Sequence, residues 1–330
     1  MSVLTRPAVL LATASMAVGL IAAPGAAWAA DAGTPLSAAE MKIALKAVAD
    51  ASLSAGAGGW RADMDMTVSM DSSSLHIAKE TRVDPARGLY FDVLEFAGRD
   101  TVTYAAEGKG VYQSLDDPTA DAALTMMGRP SVTFVFTADT RVRLDEMAPS
   151  PASLLDAYSL AGTKTVHEDG SAEFRVVSDD ETVTMHTSAA AVLTEVDVTA
   201  TADEATTEGT VDYTYGAQDI SLPAASATID EATLMTGVAY LDMPAMVKSA
   251  ATQGAAATRK AAKGRTVKVA TLRKLVRRDV TAANQKSPVP IVKAKDITGG
   301  VRVYATNPWT KKSVAYTVKA SGKKVTLKKA

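Results

Sequence analysis

The chain has 330 residues, with 35 Lys+Arg against 37 Asp+Glu, three His and no Cys. Without cysteine there is no disulfide, thiolate zinc site, iron–sulfur cluster, cysteine nucleophile or lipid-modified N-terminal Cys. The net charge of −2 hides a split: residues 1–243 hold 14 basic and 35 acidic groups, net −21, while residues 244–330 hold 21 basic and 2 acidic groups, net +19.

The first segment reads as an export leader. Arg6 is the only charge before Asp31, Ala8 to Ala23 is apolar, Pro24-Gly25 breaks a helix, and Ala27-Trp28-Ala29 offers a small-x-small cleavage site. Residues 1–29 are therefore expected to be a signal peptide, leaving a secreted, extracytoplasmic protein without a lipid anchor. No later apolar run is long enough to span a bilayer.

Ser37-Ala38-Ala39-Glu40 has capping-box spacing, and Met41, Leu45 and Val48 then share one helical face to about Ser52. At Trp60 the period becomes two. Trp60, Ala62, Met64, Met66, Val68 and Met70 alternate with Arg61, Asp63, Asp65, Thr67, Ser69 and Asp71, the pattern of a strand with one apolar face. Alternation recurs at Val102/Tyr104/Ala106, Val132/Phe134/Phe136, Phe174/Val176, Val183/Met185, Val196/Val198/Ala200 and Val211/Tyr213/Tyr215. Leu89–Phe96 is apolar on both faces except at Asp92 and Glu95, which places it near the sheet centre beneath a covering element. Two short helices interrupt the strands. One is Pro118–Met127; the other starts at Ser150-Pro151 with Leu154, Leu155 and Tyr158 on its apolar side. The expected class is α+β: a large antiparallel sheet with helices on one face, and a small basic module behind it.

Catalytic motifs are missing. His76, His167 and His186 stand apart in sequence, without a second His at ligand spacing, and neither H-E-x-x-H nor G-x-S-x-G occurs. The acid pairs Asp116-Asp117, Asp179-Asp180-Glu181 and Asp203-Glu204 sit in turn signals, where solvated carboxylates are ordinary. The reading is a protein that is not an enzyme and has no cofactor and no metal. Outside the leader there are eleven Met against five Phe. Methionines either fill a core poor in aromatics or line a surface that adapts to apolar ligands.

In pattern and order the stretch from about Thr34 to Ile229 resembles the bacterial LolA/LolB-like lipid and lipoprotein carriers, including the LppX/LprG-type lipoproteins. The residues that carry the resemblance are the opening helix, the long Trp60–Met70 strand, Thr194-Glu195-Val196-Asp197-Val198-Thr199, and Val211-Asp212-Tyr213-Thr214-Tyr215-Gly216 followed by Asp219-Ile220-Ser221-Leu222-Pro223. The resemblance implies an unclosed half-barrel whose concave face, covered by helices, holds an acyl chain. The expected lining is Met41, Leu45, Trp60, Met64, Met66, Val68, Met70, Phe91, Phe134, Phe136, Leu154 and Tyr158. The chain departs from the LppX/LprG type in lacking the lipidated Cys.

Residues 31–235 are thus expected to form the half-barrel domain and 236–266 an Ala/Lys-rich linker of partly helical character. Residues 267–330 are expected to form a basic helix with strands at Ile291–Ile297, Val301–Thr306, Ser313–Ala320 and Lys324–Lys328. Net +19 calls for a polyanion. Arg273, Lys274, Arg277, Arg278, Lys311, Lys312, Lys323 and Lys324 are the expected contacts to an anionic envelope surface, phospholipid or wall polymer. Tyr304, Trp309 and Tyr316 are too scattered for a nucleic-acid stacking platform. The functional expectation is a non-enzymatic carrier or envelope sensor for a lipid or acylated ligand; the rival is a solid-core structural or adhesion protein of the wall.

Overall fold

The computed structural model describes residues 33–70, 73–155, 160–202 and 205–330. The expected leader at 1–29, Asp71, Tyr158 and the Asp203-Glu204 pair lie outside the described residues.

The elements run β1 (Thr34–Leu36), α1 (Ala38–Gly56), β2 (Trp60–Met70), β3 (Ser73–Asp84), β4 (Leu89–Phe96), β5 (Arg99–Ala106), β6 (Gly110–Ser114), α2 (Pro118–Met127) and β7 (Phe134–Ala138). Then come α3 (Leu144–Met147), α4 (Pro151–Leu155), β8 (Gly162–Val166), β9 (Ala172–Val177), β10 (Glu181–Thr187), β11 (Leu193–Ala202), β12 (Ala205–Tyr215) and β13 (Thr228–Asp230). The chain closes with α5 (Glu231–Leu241), α6 (Met243–Ala262), α7 (Val269–Gln285), β14 (Lys293–Ile297), β15 (Gly300–Thr306), β16 (Ser313–Ser321) and β17 (Lys324–Lys329).

The fold is α+β. Thirteen strands form one open sheet in the order β1-β8-β9-β10-β11-β12-β2-β3-β4-β5-β6-β7-β13. All neighbours are antiparallel except β13 and β7. β2 stands at the middle of the sheet and β4 two strands away, in keeping with its apolar character on both faces. Strands β14 to β17 make a separate four-stranded antiparallel sheet.

Local chemistry sets the element ends. Ser37 accepts from the Glu40 N–H while Glu40 reaches back to the Ser37 N–H at 2.8 Å, so the capping box starts α1 as its spacing predicts. Gly59, at φ 117°, makes the tight entry into β2; a Cβ there would lie 2.7 Å from the Gly216 carbonyl oxygen. Asp117 caps α2, accepting from the Thr119 and Ala120 N–H groups, and Pro118 fills the first helical position.

Strand parity gives the large sheet two distinct faces. Helices lie on the face bearing Trp60, Val83, Tyr90, Ala105, Val196 and Met185, here the inner face. Met41, Leu45 and Val48 of α1 and Leu155 of α4 pack on Phe174, Val183, Met185, Leu193 and Val196. Ser52 of α1 is fully buried and accepts from the Leu193 N–H at 2.9 Å, which pins the helix to the sheet. Leu144 and Ala148 at α3 cover Trp60, Val83, Tyr90 and Ala105. Helices α2 and α5 cover the β7–β13 edge, where Leu124 and Leu234 meet Ile229.

The segment read as a linker is part of the C-terminal core. Val247, Ala250, Ala251 and Ala255 of α6 pack with Leu272 and Val276 of α7 against Val301, Val303 and Val318 of the small sheet. After Met243 and Val247 the buried face of α6 is made of small residues, so little in its hydropathy marks it as a core helix. Gly254 lets α7 come close: a Cβ there would sit 2.9 Å from the Val276 Cα. Contacts between this unit and the large sheet's helices fix the two together. Tyr240 of α5 meets Trp309 edge-on, with centroids 5.4 Å apart, and the Asn307 amide reaches the Met126 sulfur of α2.

Candidate functional site

The helices cover only part of the inner face. Across β2, β3 and β4 the register places Met64 beside Lys79 and Leu94, Met66 beside Ile77 and Phe96, and Val68 beside Leu75. On the other side Met66 is paired with Gly209, which has no side chain to cover it. Met64, Met66, Val68, Met70, Leu75, Ile77, Leu94 and Phe96 thus form one continuous apolar surface. None of the eight belongs to a buried cluster, and Met70 and Phe96 are about half exposed, at 49% and 48%. Long strands that outrun their helices produce this surface: β2 has 11 residues and β3 has 12.

A polar group borders it on the helix-covered side. Thr81 pairs with Ala62 and Asp92, one register step nearer the core than Met64 and Lys79. Lys79 extends along the apolar surface and puts its Nζ 3.2 Å from Asp92 Oδ2. The other carboxylate oxygen, Asp92 Oδ1, is buried with no hydrogen-bond partner among the described residues. Tyr90 lies next along the strand; burial first, and the neighbouring Asp92 second, push its hydroxyl pKa far upward, so it stays a neutral phenol. The apolar plane therefore ends at the Lys79 ammonium, with Asp92, Thr81 and Tyr90 buried behind it.

The expected lining divides. Met64, Met66, Val68 and Met70 are together on this surface, whereas Met41, Leu45 and Trp60 are consumed in the core beneath α1, α3 and α4. Phe91, Phe134 and Phe136 are on the opposite face of the sheet: Phe91 pairs with Arg82, and Phe136 with Tyr112, in the outward parity. There Phe91, Tyr104 and Phe134 make an aromatic row, with centroids 4.9 and 5.7 Å apart, and the Arg82 guanidinium stands over Phe91. The sequence misleads because β4 is apolar on both faces, so composition does not reveal parity. Leu154 points outward from a one-turn helix whose buried residues are Pro151, Ala152 and Leu155.

A cleft of about 250 Å³ lies between α1 and β8–β10, lined in part by Ala44, Val48, Lys164 and Phe174. Another of about 260 Å³ lies on the outer face beside Tyr112, Phe136 and Pro223. Neither reaches the methionine surface, which is open rather than enclosed. Sequence reasoning missed Leu75, Ile77, Lys79, Leu94 and Phe96; alternation along 75–79 and pairing across the Asp84–Leu89 turn were the signals that could have found them.

The basic module also rearranges its expected contacts. Arg273 and Arg277 both engage Asp296, Arg277 at 2.9 Å, and Arg278 holds Asp279 at 2.7 Å. Three of the four α7 cations are thus tied to the module's only two acids. The Lys311 ammonium donates to the Pro308 carbonyl. Lys274, Lys312, Lys323 and Lys324 form no ion pair among the described residues and are exposed. A denser cationic surface is the outer face of the small sheet. There Lys295, Arg302 and Lys328 line up through the register with Thr317 between the last two, flanked by Lys293 and Lys319. All five are exposed. Strict alternation against the buried Val301, Val303, Val318 and Val325 was the signal for them.

No protein-family model matches the chain, and no curated protein matches it. Among solved structures it is similar to a DUF1329 family protein from Desulfovibrio piger, at 9% identity and TM-score 0.25, covering 57% of this chain and 96% of that one. Among the described residues no helix is long and apolar enough to cross a membrane.

Proposed function

We propose that this protein is an extracytoplasmic, non-enzymatic carrier or sensor that holds an acyl-chain ligand on the open methionine surface of its large sheet. In this reading the acyl chain lies along Met64, Met66, Val68, Ile77 and Leu94, and its polar end meets the Lys79 ammonium. The module of α6, α7 and β14–β17 docks the protein on an anionic envelope surface. The observation that carries the reading is the uncovered apolar stretch of the inner face, beside apolar clusters elsewhere that are buried. Burying an acyl chain there gains about 0.8 kcal/mol per methylene, and methionine suits chains of variable length. The sequence resemblance to the LolA/LolB-like carriers supports the same reading.

The test is lipid extraction and native mass spectrometry of protein purified from its own host, paired with titration of a fluorescent long-chain fatty acid. Bound lipid, and binding lost in Met66→Asp and Ile77→Asp with unfolding midpoints unchanged, is the expected result. A protein that carries no lipid and ignores the fluorescent acid would sink the carrier reading. The packed clusters favour the rival structural role under that outcome, with the methionine surface then serving as a protein interface.

A further inference from the structure

On the outer face, away from the methionine surface, three ligand-bearing side chains meet on the β10–β11 hairpin. His186 stands directly opposite Glu195, and Asp197 follows two residues along β11 on the same face, opposite Thr184. One ring nitrogen of His186, a Glu195 carboxylate oxygen and an Asp197 carboxylate oxygen all lie within 4.8 Å of one another. His186 Nε2 and Asp197 Oδ2 are 3.1 Å apart, close to the separation of two ligands on one tetrahedral ion with bonds of about 2.0–2.2 Å. All three residues are partly buried, so the strands hold them in place while solvent still reaches them.

The register that makes this cluster is built. Pairing shifts by one residue between His186 and Thr187, with Thr194 as the extra residue in β11; its hydroxyl donates to the His186 carbonyl at 3.1 Å. Without that bulge Glu195 would face the other side of the sheet. The remaining Asp197 oxygen, Oδ1, accepts from the Thr210 hydroxyl at 2.7 Å, which orients the carboxylate as outer partners of metal ligands do. Neither Glu195 nor Asp197 is paired with a Lys or Arg among the described residues. Glu173 and Asp212 flank the cluster in register, adding further negative charge. Two carboxylates without a Lys or Arg partner, beside an imidazole, are chemistry for a divalent cation.

We propose that His186, Glu195 and Asp197 bind a divalent first-row transition metal, with zinc the best match to one nitrogen and two oxygen ligands, and that water completes the coordination. The imidazole separates this site from a calcium site, which would be all oxygen. Its position on the outer face makes it independent of acyl-chain binding.

The experiment is calorimetric titration of the chelator-stripped full chain with zinc chloride at neutral pH in a non-coordinating buffer. One zinc per chain is expected. Affinity should fall at least tenfold in each of His186→Ala, Glu195→Gln and Asp197→Asn, and by less in Thr210→Val. Thermal midpoints without metal check that each variant is folded, and His76→Ala and His167→Ala serve as controls with unchanged binding. No heat of binding up to millimolar zinc would overturn the site. So would binding that survives His186→Ala, which would leave only diffuse attraction to exposed acids.

Discussion

Lys79 and Asp92 meet at 3.2 Å between β3 and β4, one register step apart, at the edge where the helix-covered core gives way to the open apolar surface. Both side chains are mostly withdrawn from water, at 20% and 12% exposure, and one Asp92 oxygen is unpaired. Breaking such a pair from one side leaves a charge without its partner, which costs about 1–3 kcal/mol. Lys79→Met should therefore lower stability in urea unfolding by about that amount. Combining it with Asp92→Leu should recover most of the loss, because both polar groups then leave together. A single variant as stable as the parent would mean that water already satisfies the pair.

The close approach of α6 and α7 yields a second expectation. Gly254→Ala gains about 0.8–1.0 kcal/mol of helix propensity. Against that, the added Cβ would lie 2.8 Å from Val276 Cγ2 and 2.9 Å from its Cα. The Cα belongs to backbone and cannot rotate away, so the two helices must move apart, at about 1–3 kcal/mol. The net effect should be a loss, seen as a lower urea midpoint. A gain would show that α6 is loosely held, as a linker would be.

The same contact explains what was legible in the sequence. The alternation of Trp60 to Met70 was readable because its two faces differ in polarity, and the capping box placed α1. Helix α6 was not, since beyond Met243 and Val247 its packed face is Ala, Gly and Thr, whose burial depends on how near another helix comes. The three phenylalanines at 91, 134 and 136 were placed on the wrong face because a strand apolar on both sides carries no parity signal. The His186 cluster needed the bulge at Thr194 before its spacing meant anything. Lys79 and Asp92 required pairing across a hairpin, which no single-strand pattern contains.

Acid should weaken the fold in a way that can be traced to Asp117. The backbone N–H of Ala120, and after it that of Thr119, hold its carboxyl below the ordinary value of 3.8. A carboxylate whose folded pKa lies under its unfolded one contributes stability that is complete above the unfolded value. That contribution is lost as pH falls through the folded value. Asp84, held low mainly by the Arg87 hydrogen bond, adds to the same loss. Asp117→Asn keeps a good cap at neutral pH but has no proton to gain. Urea midpoints at pH 7 should be nearly equal for the two proteins, and the fall toward pH 3 should be shallower in the variant. Equal slopes would mean that the cap bonds do not distinguish the two protonation states.

The exposed face of the small sheet should dominate attraction to anionic membranes. Lys293, Lys295, Arg302, Lys319 and Lys328 share it without an acid among them, while Arg273 and Arg277 are already committed to Asp296. Each cation near a negative surface is worth about 1 kcal/mol. The double change Lys295→Gln with Lys328→Gln should therefore reduce co-sedimentation with phosphatidylglycerol vesicles by about tenfold or more. Arg277→Gln should reduce it less, because its charge is partly neutralised by its partner. Raising salt should release the parent protein, since a Debye length of about 10 Å at 0.1 M screens such exposed charges. Binding that persists in high salt, or that falls equally in all variants, would move the docking surface away from this sheet.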